Sequence, residues 1–133
     1  MVEQADAEAM VARAVDTFGK IDIVVNNAGI ARSNPVKGLT LEEWDRILSV
    51  NATGTFLCTR AFLGGMIERG WGRVINVASV AGLQGGRYMA AYSASTHAQV
   101  GFTRALAAEV ADQGVTVNAI CPSYVDTAMA DYA

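Results

Sequence analysis

The sequence has little with which to build a metal centre or a disulfide framework. It holds a single histidine, His97, and two cysteines, Cys58 and Cys121, far apart and in no CxxC arrangement. The cysteines read as reduced thiols buried in a cytoplasmic protein. His97 has no second histidine or acidic neighbour to complete a triad or a metal site. It falls one residue past the helix face set by Tyr92 and Thr96, which makes it a surface or interface residue. Charge is also scarce: 17% of residues are charged, against ~25% in ordinary globular proteins. The net charge is −3, with no basic cluster, which excludes nucleic acid and anionic membrane as partners. No apolar run approaches the ~18 residues of a membrane span, and the N-terminus lacks the layout of a signal peptide. Internal repeats, low-complexity tracts and linkers are absent too. What remains is a chain of 133 residues, 52% hydrophobic, enough for one small domain with a buried parallel sheet.

The hydrophobic pattern alternates between helical and strand periods. Residues 4–18 repeat apolar side chains at steps of three and four (Ala7, Met10, Val11, Ala14, Val15, Phe18), with Asp6, Glu8, Arg13 and Asp16 facing water and Gly19 as the stop. Residues 21–26 form a short β-branched run of the kind that is buried on both faces, ending in Asn26-Asn27-Ala28-Gly29. A loop over 30–40 contains Pro35 and Gly38. Thr40 with Glu43 is a capping box that opens a helix near Leu41, running through Trp44, Ile47 and Leu48. Asn51 lies inside a second helical pattern with Phe56, Leu57, Ala61, Phe62 and Met66, closed by Gly64, Gly65 and Gly70. An asparagine there competes with its own backbone and needs a reason. A second strand covers 73–77, a glycine-rich loop 78–91, a helix rich in small residues 92–111, and a third strand 115–121, stopped by Pro122. The tryptophans, Trp44 and Trp71, read as packing residues. The element order predicts an α/β fold: an open, twisted, parallel sheet joined by right-handed crossovers.

The stretch from Gly72 to Ser79, followed by Tyr92-Ser93-Ala94-Ser95-Thr96, concentrates the chemistry. It puts a hydroxyl at a strand's carboxyl end and a phenol at the start of the next helix. Such a pair suits a carbonyl or an alcohol: a phenol can donate a proton to a developing alkoxide, and a serine can hydrogen-bond and orient the same oxygen. Taken singly, each residue has an ordinary explanation. Tyr92 would be a helix-start aromatic, Ser79 a loop serine, and Asn51 a helix kink or cap.

In combination, Asn26-Asn27-Ala28-Gly29, Asn51, Ser79, Tyr92, Cys121-Pro122 and Asp126-Thr127 resemble the short-chain dehydrogenase/reductase family, nearest its 3-oxoacyl-thioester and polyketide ketoreductases. The successive spacings, from Asn27 to Asn51, from Asn51 to Ser79 and from Ser79 to Tyr92, are 24, 28 and 13 residues. The resemblance runs over essentially the whole chain. It implies a partial Rossmann-like, doubly wound parallel sheet, and a nicotinamide-dependent oxidoreductase (NAD or NADP) acting on a small ketone or secondary alcohol. It implies catalytic roles for Asn51, Ser79 and Tyr92, with Asn51 holding a proton-relay water. Asn27, with Ala28 and Gly29, would line the adenosine side of the dinucleotide. Tyr92, Val125 and Thr127 would lie at its nicotinamide end, where open α/β sheets bind ligands. It also implies a homo-oligomer built through helices around 51–68 and 92–111.

Two departures stand against the family pattern. The family has a lysine four residues after the tyrosine, on the same helix face, where an ammonium would favour phenolate and hold the nicotinamide ribose. This chain has Thr96, which brings no charge. The family's glycine-rich phosphate turn, of the form TGxxxGxG, is also absent. The three strands correspond to the family's fourth, fifth and sixth, so the expectation is a central part of a single domain, residues 1–133, truncated at both ends. Cofactor binding is then expected to be weak or absent. Three readings follow: a reductase by descent, an inactive remnant or pseudoenzyme, and a module that keeps only the association helices. Substrate identity and the choice between NAD and NADP are not written in these residues.

Overall fold

The computed structural model describes residues 3–132. Helix α1 spans Gln4–Phe18 and stops at Gly19, whose φ of 82° lets its N–H turn back to the Val15 carbonyl at 2.7 Å. Only Ala7 of the expected apolar face is buried. Val11 and Ala14 are half-buried, whereas Met10 and Val15 are exposed and Phe18 is 74% exposed. The reason is that α1 packs chiefly on one element, helix α3 (Gly54–Arg69).

Strands β1 (Ile23–Asn26), β2 (Gly72–Val77) and β3 (Val115–Ile120) form one parallel sheet in the order β1-β2-β3. Val24 pairs with Val74, Asn26 with Asn76, and Val74 with Val117. The first strand is shorter than its apolar run, with Ile21 and Asp22 left outside it. The core joins Val24, Val74, Val115 and Val117 of the sheet to Met66 of α3 and to Leu106 and Val110, while Phe62, Leu63 and Phe102 pack around it. Each such side chain contributes on the order of 1.5–3 kcal/mol when fully buried. The opposite face differs from the sequence expectation. Ile23 and Val25 alternate with buried residues and are exposed, as is Ile120. Strand β1 is therefore buried on one face, because α3 and helix α4 (Ala90–Glu109) cover that face of the sheet.

Between β1 and β2 the helical pattern is broken once. Helix α2 (Leu41–Leu48) starts at the Thr40–Glu43 capping box, with Glu43 N–H donating to Thr40 Oγ1 at 3.1 Å and Thr40 N–H to Glu43 Oε2 at 3.3 Å. A wide π-type turn over Ser49–Thr53 then carries Asn51 and leads into α3. Helix α3 runs through Gly64 and Gly65, which do not end it; the end comes at Gly70. Helix α4 begins two residues before Tyr92 and stops at Glu109 rather than 111. Trp71 is exposed rather than packed, with the Arg73 guanidinium 4.3 Å above its ring, whereas Trp44 is half-buried.

Candidate active site at the carboxyl ends of the strands

The interrupted helix explains Asn51. Its side chain is 2% exposed and matches the backbone of Ile30 as a strand would. Oδ1 accepts from Ile30 N–H at 2.8 Å, and Nδ2 donates to the Ile30 carbonyl at 2.9 Å. Nδ2 also donates to Ser95 Oγ at 3.0 Å, and Ser95 in turn donates to the Tyr92 carbonyl at 2.8 Å. Asn51 thus joins the loop after β1 to the second turn of α4. Gly29, half-buried, sits close enough that a Cβ on it would meet Asn51 Oδ1 at 3.4 Å.

Ser79 follows β2 in extended backbone and caps a short 3-10 turn, Val80–Gly82. Its Oγ accepts from Ala81 N–H at 3.1 Å. A lone pair is thereby fixed and the hydroxyl hydrogen is left for another acceptor. The turn rests on α4. A Cβ on Gly82 would come within 2.7 Å of the Thr96 carbonyl oxygen and 3.2 Å of Thr96 Cβ. Thr96 is buried beneath it, and its hydroxyl donates to its own helix, at the carbonyls of Tyr92 (2.9 Å) and Ser93 (3.2 Å). Tyr92 is half-buried one turn earlier. His97 is exposed, with Nδ1 donating to the Ser93 carbonyl at 2.8 Å.

The loops around these residues are tied to one another. Asn34 N–H donates to the Tyr88 carbonyl at 2.7 Å, and Tyr88 holds a φ of 65°, a conformation uncommon for a bulky residue. Asn34 Nδ2 reaches the Gly38 carbonyl and Glu43 Oε2, and Arg32 pairs with Glu43 at 3.0 Å. The Thr40 backbone N–H, then the nearby Arg32, hold the Glu43 carboxyl below its ordinary range, while burial works the other way. Burial pushes the Cys58 thiol up. Asn27, Ala28, Val125 and Thr127 are exposed at or beyond the carboxyl ends of β1 and β3.

One group of residues escaped the sequence reading. Asn26 Nδ2 donates to Asn76 Oδ1 (2.8 Å) and to Thr59 Oγ1 (2.9 Å), and Asn76 Nδ2 donates to Thr103 Oγ1 (2.9 Å). Gln99 Nε2 donates to Thr55 Oγ1 (3.0 Å), which donates to the Asn51 carbonyl (2.8 Å). All of these side chains are buried. Their one signal in the sequence is polar residues at steps of four, 95, 99 and 103, on a single helix face.

Among the described residues, no cluster of His, Cys, Asp or Glu could hold a metal ion, and no helix is long and apolar enough to cross a membrane. A family model described as short chain dehydrogenase matches residues 1–133. A candidate ketoacyl reductase of the monensin polyketide synthase from Streptomyces virginiae is 52% identical over 128 residues, covering 95% of this chain and 49% of the relative. A 3-oxoacyl-[acyl-carrier-protein] reductase from Synechocystis is 40% identical over 126 residues, with coverages of 95% and 51%. The solved structure of ElxO with NADP bound superposes with a TM-score of 0.92 at 29% identity, over 97% of this chain and 52% of that one. The chain spans about half the length of the curated relatives it matches.

Proposed function

The chain belongs to the short-chain dehydrogenase family, and on that premise we propose that it derives from a reductase of 3-oxoacyl-type ketones, running in reverse as a secondary-alcohol dehydrogenase. A nicotinamide dinucleotide, NAD or NADP, would supply the hydride. Asn27, Ala28 and Gly29 would hold its adenosine side, and Val125 and Thr127 its carboxamide. The exposed side chains of Asn27 and Thr127, and the backbone at Ala28, Val125 and the half-buried Gly29, suit such a ligand. Position 96 does not, because Thr96 is buried and its hydroxyl is already spent on the helix.

In this reading Tyr92 donates a proton to the developing alkoxide. Ser79, its lone pair held by Ala81, aims its own hydrogen at the same oxygen. Asn51 would anchor the relay, tied to the Tyr92 backbone through Ser95. The observation that carries the proposal is the hydrogen-bonded path from Asn51 through Ser95 to the Tyr92 backbone. The exposed small residues of α4, Ala98, Gly101, Ala105 and Ala108, would let a second copy approach closely, with α3 alongside.

The buried Thr96 favours a second reading, a pseudoenzyme that keeps the site's shape without its cation. A reduction assay decides between them, with a 3-oxoacyl thioester, either nicotinamide cofactor, and the variants Tyr92→Phe and Ser79→Ala. Turnover that Tyr92→Phe abolishes supports the reductase. No turnover with either cofactor supports the pseudoenzyme.

A further inference from the structure

We propose that Gln99, acting through Thr55, is a positioning residue for Asn51. Helix α4 grips the π-type turn at two points one helical step apart. Ser95, fully buried, takes the Asn51 side chain, and Gln99, 3% exposed, takes its backbone. The second grip is indirect. Gln99 Nε2 donates to Thr55 Oγ1, and Thr55 spends its single hydroxyl hydrogen on the Asn51 carbonyl at 2.8 Å. Both grips join residues 44 apart in sequence, so they hold α3 and α4 in one register.

A π-type turn departs from the regular i→i−4 ladder, with Gly54 N–H donating to the Ser49 carbonyl, so its carbonyls do not follow the direction of the flanking α-helices. With the carbonyl steered by Thr55 and the carboxamide by Ser95, the Asn51 side chain is held against Ile30. Without Gln99, the Thr55 hydroxyl is free to turn and the Asn51 peptide to tilt. The catalytic consequence rests on the reading above, in which Asn51 serves the proton relay; the positioning itself does not.

The test is hydrogen exchange of the Asn51 side-chain amide, followed by nuclear magnetic resonance on the full chain, with the Val74 backbone amide as an internal report on the core. Thr55→Val and Gln99→Met are expected to speed Asn51 exchange about tenfold, the upper range for one lost hydrogen bond, with Val74 unchanged. Thr55→Ser, which restores the hydroxyl, is expected to return Asn51 to the unmodified rate. Asn51 exchange that stays constant, or that rises only in step with Val74, overturns the proposal. If Thr55→Val does not fold, Gln99→Met decides by the same comparison. An absence of turnover in every form would count against the reductase reading and leaves this result standing on its own.

Discussion

Gly82 lies directly on the backbone of Thr96, so that a Cβ at position 82 would stand 2.7 Å from the Thr96 carbonyl oxygen and 2.9 Å from its carbon. The turn that follows Ser79 is thereby seated on the helix that carries Tyr92. Helix backbone cannot give way as a flexible side chain can. Gly82→Ala is expected to destabilise the chain by about 1–3 kcal/mol, the usual cost of overpacking. Equal denaturation midpoints for the two proteins would show that the turn lifts away without penalty.

Thr96→Lys separates descent from activity. A lysine at 96 restores a cation one helical turn from the phenol, and reduction of a 3-oxoacyl thioester is expected to rise by ~10²–10⁴-fold, the range of acid–base assistance. Thr96→Val, which removes a hydroxyl bonded only within its own helix, is expected to leave the rate where it was. Matching rates for Thr96→Lys and the unmodified chain would refute this account of position 96.

Asn26 and Asn76 sit opposite each other across β1 and β2 and share a 2.8 Å hydrogen bond. Asn76→Leu strands one buried N–H of Asn26, at about 1–3 kcal/mol. Asn26→Leu strands Asn76 Oδ1 in the same way. Chemical denaturation of the two single variants and the double variant is expected to show a double loss smaller than the sum. Strict additivity would mean that the pair is not coupled.

Glu43 ties the capping box to Arg32 and Asn34. Its folded pKa is lowered, so its contribution is present above the unfolded value of about 4.3 and lost as pH falls through the folded one. Glu43→Gln is therefore expected to melt below the unmodified chain at about pH 7, with the gap narrowing as the pH is taken into the acid range below the unfolded value. A gap that is the same at both ends would contradict the assignment.

Ile23, Val25 and Ile120 are exposed on the sheet face away from α3 and α4. The chain alone is expected to self-associate through this face, and Val25→Lys with Ile120→Lys to reduce the association with little effect on the core. Light scattering that finds the unmodified chain monomeric would remove the premise.

Much of this was legible in sequence because local rules decided it. The bounds of α1 follow from a 3.6-residue period and a glycine stop. The start of α2 follows from Thr40 and Glu43, and the parallel sheet from three short β-branched runs between helices. Asn51, Ser79 and Tyr92 stood out as a spaced set, and Asn51 as a polar residue at odds with its helix. The limits were equally physical. An apolar run such as Ile23-Val24-Val25 reads the same whether one face or two are covered, and only the packing of α3 and α4 on one side exposed Ile23 and Val25. Phe18 stays exposed because α1 leans chiefly on α3.

What the sequence determined by itself, then, is the set of elements, which depends on near neighbours in the chain, and the family and the residue types available for proton chemistry, which depend on the order and spacing of short motifs. Tertiary structure decided what those residues are bonded to. Asn51 finds Ser95, and Thr55 finds Gln99, across 44 residues, and Thr96 is closed over by Gly82. A buried hydrogen bond needs a donor and an acceptor brought together by the packing of separate elements, and neither partner alone carries a mark of the other.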